Sequence, residues 1–146
     1  MTETPGRTRI SQVGTVFVPV ADQERALEFY LGTLGFEKRA DFPYGTGGRW
    51  IEVAPQGSTI AIALVAPSEG RSAGSDEALC ALATDDIEAD HATLRARGVE
   101  VDAEIARTGT SRSGLVSIEA AVADPVPPQF FFRDTDGNRL LVVQPG

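Results

Sequence analysis

The chain has 146 residues, of which 42% are hydrophobic and 23% charged, and a formal net charge of −8, which is ordinary usage for one globular domain spanning residues 1–146. The acidic balance argues against nucleic acid as a partner, since phosphate binding needs a basic face, and no run approaches the ~20 apolar residues of a membrane helix. Met1 to Arg9 is polar and reads as a short tail rather than a signal peptide, and the single cysteine, Cys80, allows no internal disulfide and suits a cytoplasmic location.

Val13 to Val20 alternates with a strand period, Val16, Val18 and Val20 on one face and Thr15, Phe17 and Pro19 on the other. Asp22 is a suitable N-cap for a helix that places Leu27, Tyr30, Leu31 and Leu34 at helical spacing, with Gly35 at the C-terminal cap. Strands follow at Phe36 to Phe42 and Arg49 to Ala54. A Pro55-Gln56-Gly57-Ser58 turn comes next, and then an apolar strand, Thr59 to Ala66. The order is β, α, β, β, β over residues 10–66. Residues 67–77, rich in Ser, Gly, Glu and Pro, read as a linker.

The pattern then begins again over residues 78–143. Ala78 to Ala83 reads as a strand. Asp85 or Asp86 caps a helix through Arg97, Gly98 ends it, and Val99 to Val101 opens the next strand. An offset of 63 residues superimposes Asp22 on Asp85, Leu31 on Leu94, Gly35 on Gly98 and Phe36 on Val99. Agreement of cap, helix core, terminating glycine and next strand together suggests a duplicated unit. Gln129 to Arg133 and Asn138 to Val143 are the last strands, joined by Asp134-Thr135-Asp136-Gly137. An insertion near residues 107–126 sets the second unit apart. The whole segment Arg107 to Pro128 exceeds an ordinary connection, and a lid over a cavity or an arm across a dimer is expected of it.

Two tandem βαβββ units resemble the vicinal oxygen chelate superfamily, which holds glyoxalase I, extradiol dioxygenases, fosfomycin-resistance enzymes and bleomycin-resistance proteins. The segments that carry the resemblance are VPVADQERALEFYLGTLGFE (18–37), RWIEVAPQG (49–57), DDIEADHATLRARGVEV (85–101) and FFFRDTDGNRLLVV (130–143). It implies an α+β fold in which each unit forms a curved mixed sheet, or half-barrel. It implies a homodimer, because units of separate chains often complete one another in this family. It also implies four metal-ligand positions, which fall here on Thr15, on Leu79 or Ala78, on Ala63 or Ala61, and on Leu141 or Val143. A divalent ion needs carboxylate, imidazole or thiolate donors, and these positions supply one hydroxyl and apolar carbon. The expectation is therefore no metal and no cofactor, which disfavours glyoxalase or dioxygenase chemistry.

His91 shares a helix face with Ile87 and Leu94 and reads as a packing imidazole, a general base being its functional alternative. Cys80, in an apolar strand without basic neighbours, reads as an inert thiol. Asp134 and Asp136 fit turn chemistry. Strand alternation turns Ile60, Ile62 and Leu64 toward the helices and leaves Ala61 and Ala63 on the other face; Trp50 and Glu52 share a face as well. The expected ligand cavity is lined by Thr15, Phe17, Trp50, Glu52, Ala61, Ala63, Phe130, Phe132 and Leu141, with Phe131 pointing the other way. Such a lining suits a small organic molecule with few polar anchors. Whether the chain is an enzyme stays open. The first reading is a metal-free binding protein of the bleomycin-resistance kind. A cofactor-independent lyase, isomerase or cyclase using Glu52 or His91 is the second, and an interaction module the third.

Overall fold

Val18 and Val20 are fully buried and Val16 packs beside them, whereas Phe17, between them in sequence, is 59% exposed. That alternation orients the first sheet. A computed structural model describes residues 8–67, 73–107, 111–112, 120–121 and 127–145. In chain order the elements are β1 (Thr15–Pro19), α1 (Gln23–Leu27) continuing as a π-helical stretch (Glu28–Thr33), β2 (Glu37–Tyr44), β3 (Gly48–Ala54) and β4 (Ala61–Val65). They continue with β5 (Ser75–Ala83), α2 (Ile87–Ala96), β6 (Glu100–Val101), β7 (Ser111–Arg112), β8 (Ala120–Ala121), β9 (Gln129–Arg133) and β10 (Asn138–Val143).

The strands form two four-stranded mixed sheets of matching topology, β1-β4-β3-β2 and β5-β10-β9-β6, and a small β7-β8 pair. In each large sheet the first strand of the unit runs parallel to the last, β1 beside β4 and β5 beside β10, and the other pairings are antiparallel. Neither sheet closes into a barrel. The helices cover one face of the sheets, and a single core joins Val18, Val20, Leu27, Phe29, Tyr30, Ile51, Val53, Ile62 and Leu64 to Ile87, Leu94, Val101, Phe130, Phe132, Leu140 and Val142.

The two helices differ in one respect that the offset of 63 concealed. Asp22 caps α1 by accepting from the Arg25 amide at 3.1 Å, and Asp86, not Asp85, caps α2 by accepting from the Ala89 amide at 3.1 Å. One residue more separates Asp22 from Gly35 than separates Asp86 from Gly98. The first unit absorbs it by widening the helix: the Leu34 amide bonds the Phe29 carbonyl five residues back at 3.0 Å, the spacing of a π-helix. Both helices then end at a glycine with φ near +80°, Gly35 at 77° and Gly98 at 80°, a conformation that side chains with a Cβ resist.

Three bonds staple the units together at the Asp134-to-Asn138 turn, and a fourth ties the linker to it. Tyr30 Oη donates to Asp134 Oδ2 at 2.8 Å, and Asn138 Nδ2 donates to the Pro19 carbonyl at 2.7 Å. The Ala21 amide donates to Asp136 Oδ1 at 2.8 Å, and the Gly74 amide to Asn138 Oδ1 at 3.0 Å. Asp134, which reads from sequence as a turn former alone, therefore also ties the first unit to the second.

Several boundaries and orientations differ from the sequence reading. β5 begins at Ser75, inside the expected linker, because it pairs with the start of β10. β2 runs on to Tyr44 because its hairpin with β3 pairs through Tyr44 and Gly48. Ile60 precedes β4 and is 41% exposed rather than packed on a helix. Phe130 and Phe132, expected in the cavity, lie in the core. Pairing places Phe132 opposite Leu140 and Phe130 opposite Val142, and the helices cover that apolar face. Phe131 therefore shares the other face with its partner Leu141. Most of the insertion near 107–126, and with it the expected lid, lies outside the described residues.

Candidate functional site

The face of the first sheet turned from the helices collects most of the residues expected to bind. Register places Thr15 beside Ala61, Phe17 beside Ala63, and Glu52 opposite Ala63. Ala40, Phe42 and Tyr44 of β2 lie opposite Glu52, Trp50 and Gly48 of β3, and so on the same face. Phe17 and Trp50 meet edge to face, with centroids 5.9 Å apart and an interplanar angle of 81°, and Tyr44 meets Trp50 at 5.3 Å. Phe17, Phe42 and Tyr44 remain 59%, 47% and 60% exposed, so this is an open aromatic surface, not a filled core. Ala61 and Ala63 form its floor and are themselves buried.

One carboxylate interrupts this apolar surface. Glu52 is half-buried, and its Oε1 accepts from Thr15 Oγ1 at 3.2 Å. Below the sheet, on the helix side, Arg49 donates from Nε and Nη2 to Asp41 at 3.1 and 2.6 Å and from Nη1 to Glu24. That ion-pair cluster fixes the β2-β3 hairpin against α1. Phe42 and Tyr44 are absent from the expected lining. Strand alternation counted from Ala40, the partner of Glu52, reaches both.

Leu141 lies on the corresponding face of the second sheet, beside Phe131 and Ala81. It is not brought into contact with the first sheet's aromatic group. His91 is on the helix side: its Nε2 is 2.7 Å from the Asp102 carbonyl, and its ring abuts Phe130 with centroids 5.0 Å apart. These contacts describe a packing imidazole on the opposite side of the sheet from Leu141. Cys80 packs against the core, and burial pushes its thiol pKa up to about 11, the inert state expected of it. A separate cleft of about 230 Å³ opens between the helices, lined among others by Leu34, Phe36, Leu82 and Thr93. Of the expected lining it touches Phe132 alone.

The residues at the four metal-ligand positions do not fit a divalent ion. Thr15 offers a hydroxyl already given to Glu52, and Ala63, Ala78, Leu79 and Leu141 offer carbon. Among the described residues no three His, Cys, Asp or Glu side chains converge as a metal set. Likewise, no described helix is long and apolar enough to cross a membrane.

Comparison with known proteins agrees with the fold. The Glyoxalase/Bleomycin resistance protein/Dioxygenase superfamily matches residues 9–142. TnmS3, an antibiotic binding protein from Streptomyces sp. CB03234, superimposes with a TM-score of 0.75 at 37% identity, over 96% of this chain and 100% of that one. A superfamily member from Sphaerobacter thermophilus DSM 20745 gives 0.76 at 30% identity, over 94% of this chain and 100% of that one. YetH of Bacillus subtilis (strain 168) is 32% identical over 91 residues, 62% of this chain and 76% of that protein. Tandem units, paired mixed sheets and these matches together make the chain a member of the glyoxalase/bleomycin resistance protein/dioxygenase superfamily.

Proposed function

We propose that the protein binds a planar, partly apolar organic molecule on the aromatic face of its first sheet, without a metal. The observation that carries this reading is the cluster of Phe17, Phe42, Tyr44 and Trp50, half open to solvent around the single carboxylate of Glu52. Contiguous exposed aromatic surface of this kind marks binding sites, since water solvates it poorly. Ring faces select flat ligands, and Glu52 selects a cationic or hydrogen-bond-donating group on them. The likeness to an antibiotic binding protein at 37% identity supports binding over catalysis. A second copy of the chain is the expected cover for the open side of the face, giving a homodimer of twice 15.5 kDa.

The test is a titration of planar cationic and neutral polycyclic compounds followed by the fluorescence of Trp50, the chain's one tryptophan. Saturable quenching is expected, strongest for a cation. Glu52→Gln should weaken the cation by about tenfold or more, the equivalent of a charged hydrogen bond of roughly 1.5–3 kcal/mol. Trp50→Ala, followed by calorimetry, should weaken cationic and neutral compounds alike. A broad panel with no binder would refute the reading. Glu52 also supports a second reading, a cofactor-independent isomerase, lyase or cyclase. Chemical conversion of a bound compound by the wild type, lost in Glu52→Gln, would establish it.

A further inference from the structure

Among the described residues Arg139 is the one buried arginine, 7% exposed, and its Nε and Nη1 lie out of solvent with no hydrogen-bond partner. It stands at the start of β10 on the face turned from the helices, opposite Ala78 on one side and Arg133 on the other. Its guanidinium lies over the Phe131 ring, 4.1 Å from the centroid. Among the described residues no carboxylate pairs with it. The neighbouring Arg133 is engaged elsewhere, donating from Nη1 to the Gly137 carbonyl at 2.8 Å.

This arrangement is costly as it stands. Arginine is almost never fully buried unless paired, because its five donors and its charge leave water without compensation. The stack on Phe131 returns only about 2 kcal/mol in a desolvated setting. Leu141 and Ala81 continue the same face as apolar ground. Missing from this group is an anion whose oxygens take the free N–H donors and whose body lies on carbon.

We infer that Arg139 is the anchor of an anion site on the second sheet that takes the carboxylate of an aromatic or otherwise flat acid. The guanidinium donates to the carboxylate oxygens, and the ligand's ring rests on the more open carbon of Leu141 and Ala81. Each of the unpartnered nitrogens, Nε and Nη1, shares an edge of the planar guanidinium with Nη2, and either edge favours two-oxygen recognition, which a lysine ammonium cannot reproduce. The site lies on the other sheet from Glu52 and does not depend on the aromatic face described above.

The experiment compares 2-naphthoate with its neutral amide, 2-naphthamide, by isothermal titration calorimetry on the full chain. The wild type should bind naphthoate at least about tenfold more tightly than naphthamide, a difference of about 1.4 kcal/mol. High salt should leave that preference largely in place, because buried pairs are weakly screened. Arg139→Gln should abolish the preference, and Arg139→Lys should restore only part of it. Without ligand, Arg139→Met should melt at or above the wild-type temperature, since it removes a buried charge that no carboxylate among the described residues balances. Equal binding of the two compounds, no binding of naphthoate, or an intact preference in Arg139→Gln would each overturn the inference. So would a large fall in the melting temperature of Arg139→Met, which would assign the guanidinium to the fold instead.

Discussion

Removing one hydroxyl, Tyr30→Phe, tests whether the two units are held together at the Asp134 turn. Tyr30 is fully buried, and its ring contacts with Phe29 at 5.4 Å and Phe36 at 6.0 Å survive the change. Only the 2.8 Å bond to Asp134 Oδ2 is lost. Asp134 keeps Asn138 Nδ2 at 3.0 Å and the Asp136 and Asn138 amides at 2.9 Å each, so the carboxylate is weakened, not orphaned. A buried hydrogen bond to a charged group contributes about 1.5–3 kcal/mol. At ~2–4 °C per kcal/mol for a chain of this length, the melting temperature should fall by roughly 3–12 °C. Burial, reinforced by the Asp134 charge, raises the Tyr30 phenol well above its usual 10.0. The stability tied to the protonated phenol is thus fully present below pH 10 and is lost as pH climbs toward the raised value. The gap between wild type and variant should therefore narrow in strong alkali. Tyr44→Phe, at an exposed position, is the control and should melt as the wild type does. Thermal unfolding by circular dichroism reads all of this. An unchanged melting temperature for Tyr30→Phe, or a gap that widens above pH 10, would refute the reasoning.

Asp86→Ala should cost about 1 kcal/mol by removing the N-cap of α2, and denaturant unfolding should show a lower midpoint at an unchanged slope. Cys80 should resist iodoacetamide at neutral pH in the folded protein, since burial holds its thiol pKa up to about 11, and should react promptly in denaturant. The bidentate Arg49 contact holds the Asp41 carboxyl below its usual value. The stability from that carboxylate is therefore present above its unfolded pKa and lost as pH falls through the lowered one. Asp41→Asn should be less stable than wild type at neutral pH, and the difference should shrink in acid, measured as melting temperature against pH.

Cap residues, terminal glycines and strand alternation made the architecture legible, because each is decided by a few neighbouring residues. Asp22, Gly35 and Gly98 stand where their local chemistry requires. What misled was parity. Three consecutive phenylalanines fit a strand with either face inward, and nothing local distinguishes Phe131 from its neighbours. The choice is made across the ladder, where Leu140 and Val142 face the helices and draw Phe132 and Phe130 with them. The π-helical stretch was hidden for a related reason. An extra residue in a helix alters the repeat offset by one, and Asp85 beside Asp86 absorbed the discrepancy. Arg139 was illegible because an arginine near the end of a strand usually reaches water. Its burial is a tertiary property.

The substitutions at the metal-ligand positions are chemically coherent when taken with their neighbours. Loss of one ligand would leave a weakened metal site, but here the hydroxyl of Thr15 is turned to Glu52, and the residue opposite Glu52 is the methyl-bearing Ala63. A lone carboxylate with a hydroxyl beside it falls short of the several charged or imidazole donors that a divalent ion requires, and it can still accept from a ligand donor. On the second sheet, the face that would present a ligand at Leu141 carries carbon there and a guanidinium one side-chain pair away at Arg139. Cations repel one another, so Arg139 disfavours a divalent ion on that face while favouring an anion. One sheet thus presents an acid among aromatic rings and the other a base on an aromatic ring. Both suit an organic group held by charge and stacking, and among the described residues no three His, Cys, Asp or Glu side chains converge on either face.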